Sequence, residues 1–292
     1  MKKQTKVWLV LAIALSLGAL GSACSKTPVE DTNKNGGSEA KAKYSGATGT
    51  VTGVVSFNGT PPAPTKIDSS ADPVCGQKNP NLETENTVVK DGKLANAFVY
   101  IKDGTTTDGK KVGDFEWDTP STAVQLDQNG CHYRPHVLGV QTNQKINITN
   151  SDPTTHNIHP TPKNNPEWNQ SQPNGAAPIE KSFARAEILV PVKCNQHPWM
   201  KSYIGVMKTP FFAVSADNGS FTIKGVPAGT YTVAAWHEGG AEGTTKTVQV
   251  TVPANGSVTA DFSFEGGAAA ASNQGGLQML PAIEFPMLGR KH

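Results

Sequence analysis

The residues best placed to do chemistry sit in the middle of the chain. Cys194, His197 and Met200 follow one another at C-x2-H-x2-M spacing in Cys194-Asn195-Gln196-His197-Pro198-Trp199-Met200. Upstream lies His156-Asn157-Ile158-His159. One thiolate, two imidazoles and a weak thioether make a trigonal set that suits copper; zinc would accept the other donors, but the soft thioether favours copper. A thiolate at a strand end, followed by a tight turn, can aim Cys194, His197 and Met200 at one point while a neighbouring loop supplies the second imidazole. The plainer alternative is a buried structural cysteine with surface histidines. His159 is expected to stay off the metal: in extended chain, positions three apart face opposite ways, and Pro160 restricts its backbone. Met207 is expected in the core, with the axial place as its alternative.

Cys75 and Cys131 leave two readings. In an oxidising compartment two spare cysteines pair, which would staple the segment before residue 116 to the strands after it. The rival is a second metal site in Cys131-His132-Tyr133-Arg134-Pro135-His136, where His132 and His136 project to one face of an extended chain. A two-cysteine copper centre would need both thiolates on one loop, and Cys194 has no such neighbour.

The elements that must hold these residues read as strands. Charged residues are 17% of the 292, and there are 29 Gly and 21 Pro, a balance that suits a turn-rich β protein. Short β runs alternate with turn residues: 50–57 before Asn58-Gly59, 97–101 before Asp103-Gly104, 137–140 and 145–150 around Thr142-Asn143, 187–192 leading into Cys194, then 220–223, 230–233, 245–252 and 257–264. The Pro- and Asn-rich region 160–182 is expected to be a long loop. No window after residue 24 has a sustained helical period.

The ends read differently. Lys2, Lys3 and Lys6 precede an uncharged apolar run, Val7 to Ala23, short for a membrane span and followed by small residues, as in a cleaved export signal. Without those three lysines 23 basic residues face 24 acidic ones, so a basic nucleic-acid surface is not expected. Residues 24–48 are polar and aperiodic, a flexible tether; residues 265–292 form a linker and tail.

Three resemblances follow from these motifs. Leu20-Gly21-Ser22-Ala23-Cys24 resembles a bacterial lipobox, with Gly21 where Leu is commonest. It implies a signal peptide at 1–23 and lipidation of Cys24, hence an exported protein, lipid-anchored, facing the periplasm or at the cell surface. The copper motif resembles the cupredoxins, of the amicyanin/plastocyanin-like type 1 kind, over residues 116–214. That resemblance implies one type 1 copper held by His156, Cys194, His197 and Met200, with Asn157 tying the two ligand loops near Cys194. Asp217-Asn218-Gly219-Ser220-Phe221 with Gly229-Thr230-Tyr231-Thr232-Val233, and the opening Gly49-Thr50-Val51-Thr52-Gly53-Val54-Val55, resemble the carboxypeptidase regulatory-like (transthyretin-like) sandwich. The module is expected to be split into 49–115 and 215–264 around the inserted cupredoxin, with a core of Phe57, Val99, Phe221, Ile223, Tyr231, Val233, Val250 and Phe262. His237 is expected at a turn or edge, with the copper rim as its alternative.

The expected fold class is therefore all-β: a cupredoxin Greek-key β-sandwich plus a carboxypeptidase regulatory-like β-sandwich. The expected function is single-electron transfer, without catalysis and without a small-molecule substrate; no Ser-His-Asp triad, phosphate loop or catalytic carboxylate pair is legible. A redox protein would dock near His197, Pro198 and Trp199, with His197 the ligand nearest the surface. Two alternatives stand beside it: a periplasmic copper-binding carrier or resistance protein, which needs an open site, and a metal-free β-sandwich for adhesion or glycan binding.

Overall fold

Apolar residues at alternate positions of Thr48–Asn58 bury Val51, Val55 and Phe57 on one face of an eleven-residue strand. The computed structural model describes residues 41–239 and 243–266, and within them that strand organises the first of four sheets. It pairs antiparallel with Ser220–Pro227, and runs parallel to Ser257–Thr259 and Phe262–Glu265. The short strands Lys93–Leu94 and Val89–Lys90 extend the sheet. A facing sheet has the order Phe212–Val214, Phe98–Thr106, Gly229–His237, Thr244–Val252. One core lies between them, and it holds all eight residues expected there, from Phe57 to Phe262.

The second pair of sheets is formed by the intervening chain. Five strands run in the order Gln170–Gln172, His156–Pro160, Glu187–Lys193, Lys201–Met207, Val137–Gln141. Four more run Ile179–Lys181, Ile146–Asn150, Val124–Gln128, Tyr133–Arg134. Between them lies a core that includes Leu126, Tyr133, Ile148, Ile158, Val192 and Ile204, and that takes in Cys194 and Met200 at one end. The architecture is all-β, with sandwich packing in both halves.

The two sandwiches meet through a third apolar cluster of Phe98, Tyr100, Val137, Leu189, Met207, Ala234 and Trp236. Gly139 and Gly205 face each other in register on neighbouring strands. A Cβ on Gly205 would lie 2.4 Å from the Phe98 ring, and one on Gly139 2.5 Å from Phe212, so the two glycines form a slot that seats these rings. Met207 sits in this contact, away from the copper motif.

Several local expectations change. Region 160–182 is not one long loop: Gln170–Gln172 pairs with His156–Ile158, and Ile179–Lys181 with Ile146–Ile148. Both added strands are three residues long and too polar to show alternation, so their partners impose the pairing. Asp103-Gly104 does not end its strand. The strand runs on through it, with a bulge at Lys102, and Gly104, at φ 129°, lies against Thr230 and Tyr231 and leaves no room for a side chain. Phe212–Val214, expected in the cupredoxin, pairs with Phe98–Tyr100 of the outer sandwich. The described end of the tether is docked: Lys43 forms an ion pair with Asp118 and Tyr44 packs edge-on to Phe115. The signal at 1–23, Cys24 and nearly all of the tail lie outside the described residues. Among the described residues no helix is long and apolar enough to cross a membrane.

Candidate metal centre

The strand Glu187–Lys193 delivers Cys194, and a tight turn brings the chain back as Lys201–Met207. The Cys194 N–H donates to the Met200 carbonyl (3.2 Å) and the Met200 N–H to the His197 carbonyl (2.9 Å), closing the seven-residue loop on itself. His156 comes from the neighbouring strand His156–Pro160. The three donors His156, Cys194 and His197 lie with their ligand atoms within 4.8 Å of one another, all buried. Nδ1 of His156 is 2.9 Å from Nδ1 of His197, which is 3.6 Å from the Cys194 sulfur. Met200 is fully buried in the same cluster as Cys194.

Asn157 ties the two ligand loops. Its side-chain oxygen accepts the Asn195 N–H at 2.7 Å and lies 3.3 Å from the Cys194 sulfur, toward which its own N–H donates at 3.5 Å. His159 is elsewhere: its ring lies between Asn195 (2.9 Å) and Glu167 (2.6 Å), on the outer side of the strand.

Each of the two imidazoles turns its other nitrogen to a carboxylate. His156 Nε2 is 2.9 Å from Asp152, and His197 Nε2 is 2.9 Å from Asp72. With Nε2–H donated outward, each ring in its neutral form turns an Nδ1 lone pair toward the other ring and the sulfur. Two lone pairs at such a distance repel unless a cation or a shared proton lies between them. The donor set of a thiolate and two imidazoles, with a thioether buried alongside, fits copper. Burial alone would raise the Cys194 thiol, but the two histidines and nearby N–H groups hold it below its usual value. Burial would lower His156 and His197. The Asp152 carboxylate and Cys194 reverse this for His156, and Cys194 and Asp72 do so for His197. Without metal the centre is therefore held by charge rather than left apolar.

Cys75 and Cys131 form a disulfide, the pairing expected in an oxidising compartment. This removes both sulfurs as metal ligands. His132 and His136 do project to one side, as their spacing implies, but they flank the Glu85 carboxylate, which also takes Arg134 at 2.5 Å. His136 bonds Glu238 of the outer sandwich, and His237 ends the strand Gly229–His237, buried near Phe264 and away from the copper motif.

His197 has the largest exposed fraction of the four expected ligands, yet it too is buried. It is 3% exposed, because residues 72–78 cover it. Asp72 caps the short helix Pro73–Lys78 by accepting the Val74 and Cys75 N–H groups, with Pro73 in the first turn. Trp199 stays half-buried, its ring 5.1 Å from that of His197 and its indole N–H on the Cys131 carbonyl; Pro198 is exposed. Asp72 and Asp152 were missed in the sequence. The D-x3-H step from Asp152 to His156 was a usable signal for the second; for Asp72, 125 residues from its histidine, only the helix-start pair Asp72-Pro73 was legible.

A family model described as polysaccharide lyase family 4, domain II matches residues 188–260. That stretch runs from the strand before Cys194 into the outer sandwich. No curated protein matches the chain. Among solved structures, a copper-containing nitrite reductase from Thermus scotoductus SA-01 is similar at 18% identity, covering 29% of this chain and 22% of its own, with a TM-score of 0.27. This chain thus spans under a quarter of that enzyme's length. A purple cupredoxin from Nitrosopumilus maritimus is 20% identical over 28% of this chain and 98% of its own, at a TM-score of 0.25. An oxidised amicyanin variant is 20% identical over 30% and 86%, at 0.26. The fold class is all-β, one β-sandwich joined to a second.

Proposed function

We propose that this protein is an exported, membrane-anchored single-electron carrier with one type 1 copper, which His156, Cys194, His197 and Met200 would hold. Bound there, copper would supply one-electron redox chemistry. The observation that carries the reading is the convergence of three buried electron-pair donors with both imidazole Nε2 atoms already engaged. The chain's own part is to fix the donors in place: Asn157 locks the two ligand loops, and the cores on either side resist rearrangement between charge states. Closure by residues 72–78 disfavours the copper-carrier alternative, which needs an open, exchangeable site. Docking of a redox protein would use the rim at Pro198 and Trp199, with Trp199 between His197 and solvent. The lipid anchor would be Cys24. No substrate pocket and no catalytic role are part of this reading.

A second reading, a metal-free β-sandwich that binds glycans, has the match over 188–260 in its favour. One absorption spectrum of the copper-treated, oxidised protein separates the readings. An intense visible thiolate-to-copper band, lost in Cys194→Ser with the β fold retained, is the expected result. No band in the parent protein, or an unchanged band in the variant, refutes the copper assignment.

A further inference from the structure

The partners of the two imidazoles share one mount. Asp72 Oδ2 meets His197 Nε2 at 2.9 Å and accepts the Thr154 hydroxyl at 2.9 Å, while its Oδ1 accepts the N–H groups of Val74 (2.9 Å) and Cys75 (3.4 Å). Asp152 Oδ2 meets His156 Nε2 at 2.9 Å and accepts the Cys131 N–H at 2.7 Å, while its Oδ1 accepts the Gly130 N–H at 2.8 Å and lies 3.5 Å from Lys78 Nζ. Each half of the Cys75–Cys131 disulfide therefore gives its own N–H to one of the two carboxylates. The crosslink joins the turn that presents Asp72 to the turn that clasps Asp152.

We infer that Asp72 and Asp152 are positioning residues that hold His197 and His156 through Nε2 and bias the centre toward oxidised copper, with the Cys75–Cys131 disulfide as their common mount. The inference rests on the copper reading above. A carboxylate that accepts the remote N–H of a ligating imidazole fixes the ring and makes it a stronger donor; losing such a partner costs about 10–100-fold in metal affinity. Two negative charges beside the centre also favour the more highly charged metal. Asp152 is wholly buried, whereas the Asp72 side chain is 17% exposed, so water screens Asp72 more.

The test uses the full chain, copper-loaded, with Asp72→Asn and Asp152→Asn. Asn is as good a helix cap as Asp, so Asp72→Asn keeps the turn through its oxygen, while its amide N–H replaces the oxygen that faces His197 and Thr154, removing both the charge and the acceptor for the imidazole. Asp152→Asn turns an amide N–H toward a backbone donor and risks misfolding; Asp72→Asn keeps the test decisive in that event. The readouts are the reduction potential, followed through the visible band, and the affinities for both copper oxidation states by competition with chelators. The expected result is a retained band, at least tenfold weaker binding of oxidised copper and little change for reduced copper. A tenfold loss confined to the oxidised state raises the potential by about 59 mV. A parent protein without the band overturns the copper reading and this inference together. A parent with the band and an unmoved potential in folded, disulfide-intact Asp72→Asn overturns this inference alone.

Discussion

Removing the disulfide by the double change Cys75→Ala and Cys131→Ala opens a loop closed over a separation of 56 residues. The loop-entropy relation puts the stabilisation from a closure of that length at about 4 kcal/mol. Both sulfurs are fully buried, so their loss adds small cavities to the same side of the balance. The crosslink spans from the helix over His197 to the turn around Asp152, so the effect should be felt first by the sandwich that holds Cys194. The assay is guanidinium unfolding of metal-free protein at neutral pH, read by tryptophan fluorescence, since Trp199 lies against the bridge. Thiol counting on the denatured, unreduced Cys24→Ala background fixes the starting state: one free thiol, that of Cys194. We expect the unfolding midpoint to fall by an amount equivalent to about 4 kcal/mol. A change below about 1 kcal/mol, less than the lower end of typical native-disulfide losses, would refute the view that this bridge closes a chain otherwise free in the unfolded state. Three free thiols in the Cys24→Ala protein would remove its premise.

Three more outcomes are expected. Gly205→Ala places a methyl group in the slot that seats Phe98 and should destabilise the contact between the sandwiches by about 1–3 kcal/mol; full stability in thermal unfolding would show that the Phe98 ring can move aside. His156→Ala should lose the blue band while His159→Ala, which cuts only bonds to Asn195 and Glu167, keeps it; the reverse pattern would move the ligand assignment along the strand. Burial pushes His237 down to about 4, against an opposing pull from Glu238 and with a small push from His136 in the same direction. The unfolded chain therefore takes up that proton first. Stability should fall as pH drops from about 6.5 to about 4, by on the order of 3 kcal/mol. In His237→Gln that part of the pH dependence should be missing, and an equally steep fall in the variant would assign it elsewhere.

What could be read in the sequence, and what could not, follows from how local each cause is. Period-two alternation is local, and Phe221, Ile223, Tyr231 and Val233 announced both their strands and their core. The C-x2-H-x2-M loop is local as well, and the structure brings Cys194 and His197 together with His156. Gln170–Gln172 is different, because a polar tripeptide becomes a strand only through its neighbour. The cover over His197 was illegible for the same reason. The cover comes from Asp72 and its helix, far away in the chain, and nothing near His197 records that it is covered. Lys43 and Tyr44 lie in a segment whose composition reads as tether, yet Asp118 and Phe115 give them partners.

Among the described residues the strand Thr48–Asn58 pairs with residues from 92 onward, and most of its partners lie between 220 and 265. As the chain is made, that strand is among the first ordered segments to appear, yet its main neighbours come last. Val51, Val55 and Phe57 must wait while the whole of 116–207 emerges. The inner sandwich, with Cys75 and Cys131 both available before its last strands, can close in the meantime. Chain order thus lets the centre at Cys194 form before the sheet of Thr48–Asn58 is complete. Slow non-local pairing of this kind leaves apolar strand edges open for longer. Damage to the inner sandwich would accordingly appear first as a failure of the outer one to close.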